Sequence, residues 1–244
     1  MKKLIQLLVF LLVLALSMGT AAMAATLEVD SLEDIYNAYR FTLDGIEYQM
    51  PAPVSQFIEN GWTLDVRYDA KALDAMTYSS YGNSLTKGDA SIDVELLNAT
   101  DEALPLEECL VSQMTIWNTL PVDFILAPGI QNGSSLQDVL DACGMTLELV
   151  KSDSDDHFEL KKGDYTVGTF AMNQIPFAQE ITLYYEISGE ALDVLTQVER
   201  HSELYKQYAG ENYIQYGFDS PILEEGATPK VNHITVKLIL PQAE

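Results

Sequence analysis

Between Phe41 and Ile187 the apolar and polar positions of the chain fall into one order, twice. Phe41-Thr42-Leu43-Asp44-Gly45-Ile46 opens the first span, and Phe124-Ile125-Leu126 followed by Gly129-Ile130 opens the second. A short helix is predicted next in each. Val54, Phe57 and Ile58 share one helical face, and Leu136, Val139, Leu140 and Cys143 do the same at i, i+3, i+4, i+7. Pro53 suits a first helical turn, where its missing N–H would have no partner, and Ser134 with Gln137 offers a capping box. Gly61 and Gly144 end the helices, because glycine enters the left-handed conformation without a Cβ clash. The segments that follow, Trp62-Thr63-Leu64-Asp65-Val66 and Met145-Thr146-Leu147-Glu148-Leu149, alternate like strands with one buried face.

A second block of similarity lies further on. Leu85-Thr86-Lys87-Gly88-Asp89 matches Leu160-Lys161-Lys162-Gly163-Asp164, and Lys-Gly-Asp between alternating apolar residues is hairpin-turn chemistry. Ile92 matches Val167, Asn98 matches Asn173, and Pro105 to Ile116 lies against Pro176 to Ile187, each ending in a strand. A competing alignment of Ser31–Ala38 with Ser135–Ala142 is explained by a common N-capping pattern. Outside the matched spans, Leu32, Ile35, Tyr36 and Tyr39 predict a first helix after a short leader, Ala25 to Asp30. Gly189 to Tyr208 reads as the longest helix, Tyr213 to Phe218 as a strand, and Ile234, Val236, Leu238 and Leu240 as a closing strand added to an existing sheet. The expected fold is α+β: two tandem repeats, each a short helix packed on an antiparallel sheet, plus a C-terminal helix and strand. The expected boundaries are a signal peptide at 1–24, a leader and helix at 25–40, units at 41–119 and 120–187, and an extension at 188–244.

The first 24 residues change where this fold is expected to work. Lys2 and Lys3 precede an apolar run from Leu4 to Met18, and Ala22-Met23-Ala24 is a small-residue cleavage site, the layout of a secretory signal peptide. The alternative is an uncleaved anchor, since Leu4 to Ala24 is long enough to span a bilayer. Charge narrows the partners. The chain carries 37 acidic and 13 basic residues, net −24. Loss of the segment to Ala24 takes Lys2 and Lys3 with it, leaving 11 basic residues and a net charge of −26. Such a field repels phosphate backbones and anionic headgroups, so neither nucleic acid nor, after cleavage, a membrane is an expected partner. Cys109 and Cys143 are the only cysteines. Export permits a disulfide between them, and two buried thiols are the equal alternative.

Catalytic motifs are sparse. His157, His201 and His233 stand in no metal-ligand spacing, and no nucleophile elbow or phosphate-cradling loop is present. Asp153-Ser154-Asp155-Asp156-His157 begins like a calcium loop, but Phe158 and Asp164 occupy the sites where an EF-hand needs glycine and glutamate, so it reads as a solvated turn. Adjacent acids such as Glu107-Glu108 and Glu224-Glu225 face opposite ways on a strand and make no acid/base couple. No cofactor and no metal are expected. Aromatic placement is more informative. Tyr78-Ser79-Ser80-Tyr81-Gly82 and Tyr213-Ile214-Gln215-Tyr216-Gly217 have the residue mix of recognition surfaces, which makes Tyr78, Tyr81, Tyr213 and Tyr216 the candidate ligand-binding residues. Trp62, beside a helix stop, reads as core.

The string from Phe41 to Trp62, Phe-Thr-Leu-Asp-Gly-Ile-x-Tyr-x-Met-Pro-x-Pro-Val-x-x-Phe-x-x-x-Gly-Trp, resembles the opening of uncharacterised secreted proteins and lipoproteins of Gram-positive gut bacteria. The lipid-bearing cysteine of the lipoproteins is missing. Gly129-Ile130, Gly133-Ser134-Ser135, Asp138-Val139 and Gly144 together are similar to the helical motif of envelope modules with a tandem β-lactamase-inhibitor-like fold. That resemblance implies a protein-binding module and assigns no residue a role. The expected function is an exported, non-catalytic binding module of the envelope or extracellular space, with a protein or glycan partner. An extracellular hydrolase using His157 and nearby acids, or a carbohydrate-binding module with exposed aromatics, are the alternatives.

Overall fold

The computed structural model describes residues 21–66, 71–152, 156–172, 178–224 and 226–240. Strand β1 (Ala21–Val29) leads into helix α1 (Leu32–Ala38), whose N-cap Ser31 accepts the Asp34 N–H through its side chain. Then come β2 (Arg40–Leu43), β3 (Ile46–Gln49), β4 (Ala52–Pro53), helix α2 (Val54–Glu59) and β5 (Thr63–Val66). Strands β6 (Ala72–Leu73), β7 (Thr77–Lys87), β8 (Ala90–Asn98), β9 (Leu104–Pro105) and β10 (Leu110–Trp117) complete the first half. The second half runs β11 (Phe124–Leu126), helix α3 (Leu136–Ala142), β12 (Met145–Val150), β13 (His157–Lys162), β14 (Tyr165–Ala171) and β15 (Ala178–Ile187). Helices α4 (Gly189–Thr196) and α5 (Glu199–Tyr208) precede β16 (Tyr213–Phe218) and β17 (Val231–Lys237).

One large mixed sheet dominates, in the order β1-β15-β16-β17-β10-β8-β7-β5, with β4 against β10. Its pairs are antiparallel except β1, which runs parallel to β15. Small sheets β11-β2-β3, β12-β13-β14 and β6-β9 surround it. The openings of the two matched spans pair with each other, Phe41 opposite Leu126 and Leu43 opposite Phe124. Asp44 N–H donates to Asp123 O and Ala127 N–H to Arg40 O, so the contact is reciprocal.

The expected α+β arrangement is overturned. Strands account for 49% of the described residues and helices for 20%, and strands of both halves enter one sheet. The reason lies at the C-terminus. β16 and β17, expected as an appended extension, occupy the middle of the sheet between β15 and β10, with their backbone groups paired on both sides. The expected leader is likewise a strand, and it begins within the expected cleavage site: Met23, Ala25 and Leu27 of β1 alternate inward. The single long helix expected from Gly189 to Tyr208 is broken between Thr196 and Glu199. At α3 the capping box is closed by Ser135 and Asp138, one residue later than expected.

Alternation sorts the large sheet into two faces. On β8, Ala90, Ile92, Val94 and Leu96 are buried while Ser91 and Asp93 are exposed. The apolar face joins Ile35 of α1, Val54 and Phe57 of α2, and Val139 and Leu140 of α3 in one core. Trp62 belongs to that core, as expected. A second, small cluster of Leu97, Leu204 and Ile239, with Tyr78 and Tyr208 against it, lets α5 cover one end of the opposite face. The remainder of that face is polar.

Candidate functional site

Antiparallel pairing sets side chains of neighbouring strands directly opposite one another on the same face. The register therefore builds the polar face in three rows. The first row is Tyr184, Tyr213, Lys237, Gln113 and Glu95; the second is Thr182, Gln215, Thr235, Thr115, Asp93, Ser84 and Asp65. The third sets Gly217, His233 and Trp117 side by side. Over β10, β8, β7 and β5 the rows floor a trench of about 650 Å³, with Glu95 and Gln113 toward one end and Trp117 toward the other.

A buried cation organises the first row. Lys237, 6% exposed, places Nζ 3.1 Å from Glu95 and 2.8 Å from Glu211. It also lies 4.6 Å from the centre of the Tyr78 ring, a cation–π geometry. Burial alone would lower the lysine pKa, but hydrogen bonds to Glu211 and Glu95 outweigh it and raise it. Glu95 is pushed up by burial, against the pull of Lys237. Tyr78 Oη donates to Glu211 at 3.2 Å and its ring meets Tyr208 edge-on. Tyr213 Oη donates to Gln113 Oε1 at 3.3 Å. Burial raises both phenols.

The second row is held by short polar contacts. Thr115 and Thr235 hydroxyls lie 2.9 Å apart, and Gln215 Nε2 donates to Thr182 and to Glu180. Asp65 and Asp93 make no side-chain hydrogen bond or ion pair among the described residues, so their acceptor oxygens face the trench unengaged. In the third row Trp117 is 45% exposed, and its ring rests against His233, centroids 4.3 Å apart and tilted 32°. His233 in turn lies flat over Gly217, where a Cβ would stand 1.9 Å from the imidazole. Burial holds the His233 pKa below the usual histidine value, so at neutral pH it supports the indole as an uncharged ring.

Of the four candidate tyrosines, Tyr78 and Tyr213 come together around Lys237, on strands rather than on loops. Tyr216 is 1% exposed and points into the opposite face, where Cys143 hydrogen-bonds it. The side chain of Tyr81 lies outside the described residues. Cys109 and Cys143 are not joined: the Cys109 thiol donates to Pro105 O, and burial pushes its pKa up to about 11. Cys143 lines a smaller cleft of about 330 Å³ with Tyr185 and Tyr216. His157 sits beside Glu159, at 3.5 Å, on the separate sheet β12-β13-β14 and lines neither cavity. The acidic residues 153–155 and the segment 1–20 lie outside the described residues. No cluster of three metal-ligating side chains occurs among the described residues, and no described helix is long and apolar enough to cross a membrane.

Sequence reasoning missed Trp117, Lys237 and the trench, although the signal was there. In Gln113-Met114-Thr115-Ile116-Trp117 strict alternation puts Met114 and Ile116 inward and the tryptophan with its polar neighbours. Comparison with family models, curated proteins and solved structures finds no match to this chain.

Proposed function

We propose that this protein is an exported, non-catalytic binding module whose contact surface is the polar face of the large sheet. Export is supported by the sequence of residues 1–24. The observation that carries the binding role is the trench: a concavity within the roughly 300–1,000 Å³ range of ligand pockets, floored by rigid paired strands. Side chains standing on strands are held more precisely than side chains on loops, which favours recognition over incidental polarity. Lys237, the one buried lysine or arginine among the described residues, is committed to two carboxylates and pins strands β8 and β17 rather than reacting. His157, the candidate of the hydrolase alternative, stands away from this face.

The test is retention on the envelope. Purified protein is incubated with intact cells and with washed cell walls of the source organism, alongside Thr115→Arg and Glu159→Lys. Blocking the trench with Thr115→Arg is expected to cut retention by about ten-fold or more, the scale of a central contact residue. Glu159→Lys, on the small sheet β12-β13-β14, is expected to leave it unchanged. Equal retention of all three proteins rejects the reading.

A further inference from the structure

Resting on that binding role, we infer that the trench takes a neutral glycan, with one sugar ring stacked on Trp117 and the hydroxyls of the rings beyond it met by Asp93 and Gln113. The indole is the first reason. An exposed tryptophan in an otherwise polar trench leaves apolar surface in water, at roughly 25 cal/mol per Å². This one contributes nothing to the core, yet it is held in place by a built support. His233 backs the ring, and Gly217 clears the space that His233 needs. The result is a fixed, partly exposed aromatic platform. A pyranose ring offers the matching shape, one face of C–H groups and a rim of hydroxyls.

The donor and acceptor inventory is the second reason. Ionised carboxylates only accept hydrogen bonds, hydroxyls do both, and amides offer one group of each kind. Asp65 and Asp93 with Gln113 and Thr115 therefore suit a ligand rich in O–H donors. Charge excludes the nearest rivals. A uronic acid or phosphorylated sugar would enter a trench of carboxylates on a chain of net charge −24. A protein interface centre is depleted in charged residues and gathers several aromatics, whereas this trench has one aromatic among three acids. Against a small cation, Glu95 is already neutralised by Lys237 at 3.1 Å. The volume of about 650 Å³ accommodates roughly two to three sugar rings.

The experiment titrates the purified protein with neutral hexasaccharides of glucose, xylose and mannose, read by tryptophan fluorescence and calorimetry. Trp62 is buried in the core, so a fluorescence change on binding reports Trp117. At least one neutral hexasaccharide is expected to bind. Its affinity is expected to fall about ten-fold in Trp117→Ala and to return in large part in Trp117→Phe, because stacking is worth about one such factor. Binding is expected to persist in 1 M salt, on the ground that no net charge is exchanged (about 3 Å Debye length). Circular dichroism and melting of both variants separate a lost platform from a lost fold. Absence of binding to every neutral probe overturns the inference, and so does full affinity in a folded Trp117→Ala. So does binding only to a glucosamine hexamer that salt abolishes, which would make the trench a cation site. If envelope retention still falls in Thr115→Arg while no neutral glycan binds, the contact surface stands and the glycan does not.

Discussion

The two Lys-Gly-Asp hairpins, β7–β8 and β13–β14, are locally alike and end in different surroundings. In each, the strand after a helix pairs in the same register: Thr63 with Thr86 and Leu64 with Leu85, then Thr146 with Lys161 and Leu147 with Leu160. Both turns hold glycine at positive φ, 59° at Gly88 and 60° at Gly163. Yet β8 passes its hydrogen bonds on to β10 and joins the large sheet, while β14 meets β1 and stops. At that boundary an added Cβ on Gly168 would stand 2.8 Å from Ala24 O. The outward faces differ accordingly. The first hairpin lends its polar side to the trench; the second carries a surface lattice in which Lys161 bridges Glu148 and Glu159. Local sequence sets the hairpin, and the neighbouring strand decides what the hairpin is for.

That comparison can be broken most forcefully through the large sheet. Lys237→Met removes the cation between Glu95 and Glu211 and leaves two partly buried acids facing each other. It is expected to cost about 3–5 kcal/mol in urea unfolding, with the loss largest at neutral pH. In that variant Glu95 has a folded pKa raised above its unfolded value, so acidification through that window restores stability. Leu85→Ala and Leu160→Ala, both at fully buried positions, are each expected to cost about 2–5 kcal/mol. Both strands are paired on two sides, and the comparison predicts the greater cost at Leu85, since β7 belongs to the large sheet and β13 to one of three strands. Equal costs by chemical denaturation would show that the second sheet is as firmly seated as the first.

Gly168→Ala sharpens the boundary. The new methyl meets backbone on one side and the Phe170 ring on the other, an overpacking expected to cost about 1–3 kcal/mol. Hydrogen exchange is expected to accelerate in β12–β14 and stay unchanged in β8 and β10. The smallest effect is at α3, where Ser135 N–H and Oγ donate to Asp138. Those bonds hold its carboxyl below the usual aspartate value. The stabilisation is present above the unfolded pKa and lost as pH falls through the lowered folded value. Asp138→Asn is therefore expected to melt below the parent protein at pH 7 and alongside it under strong acid.

Much of the local structure was legible in the sequence, because alternation, glycine stops and turn dipeptides act over a few residues. The hairpin turns at Gly88 and Gly163 and the strand from Ile181 to Ile187 followed from such signals. Neighbour choice did not, since nothing in Ile234-Thr235-Val236 says on how many sides a strand will be paired. β1 escaped notice because its first residues, Ala22-Met23-Ala24, read as a small-residue cleavage site; the same small side chains suit a strand squeezed against Gly168. Of the tyrosine motifs, Tyr78 and Tyr213 stand on the polar face outside the trench lining, while residue parity sends Tyr216 to the other side of β16. The trench itself is assembled from β5, β7, β8 and β10, and no single segment contains its pattern.

The placement of β16 and β17 has a consequence for how the chain comes to be folded. β16 and β17, which follow the other strands in sequence, sit at the centre, and β1 waits for β15 more than half a chain away. Neither β15 nor β10 has its final neighbour until β16 and β17 are in place, so closure of the sheet is dominated by distant pairings and is correspondingly slow. A chain of this kind must keep two unfinished sheet margins from other polypeptides until Tyr213–Phe218 and Val231–Lys237 have paired.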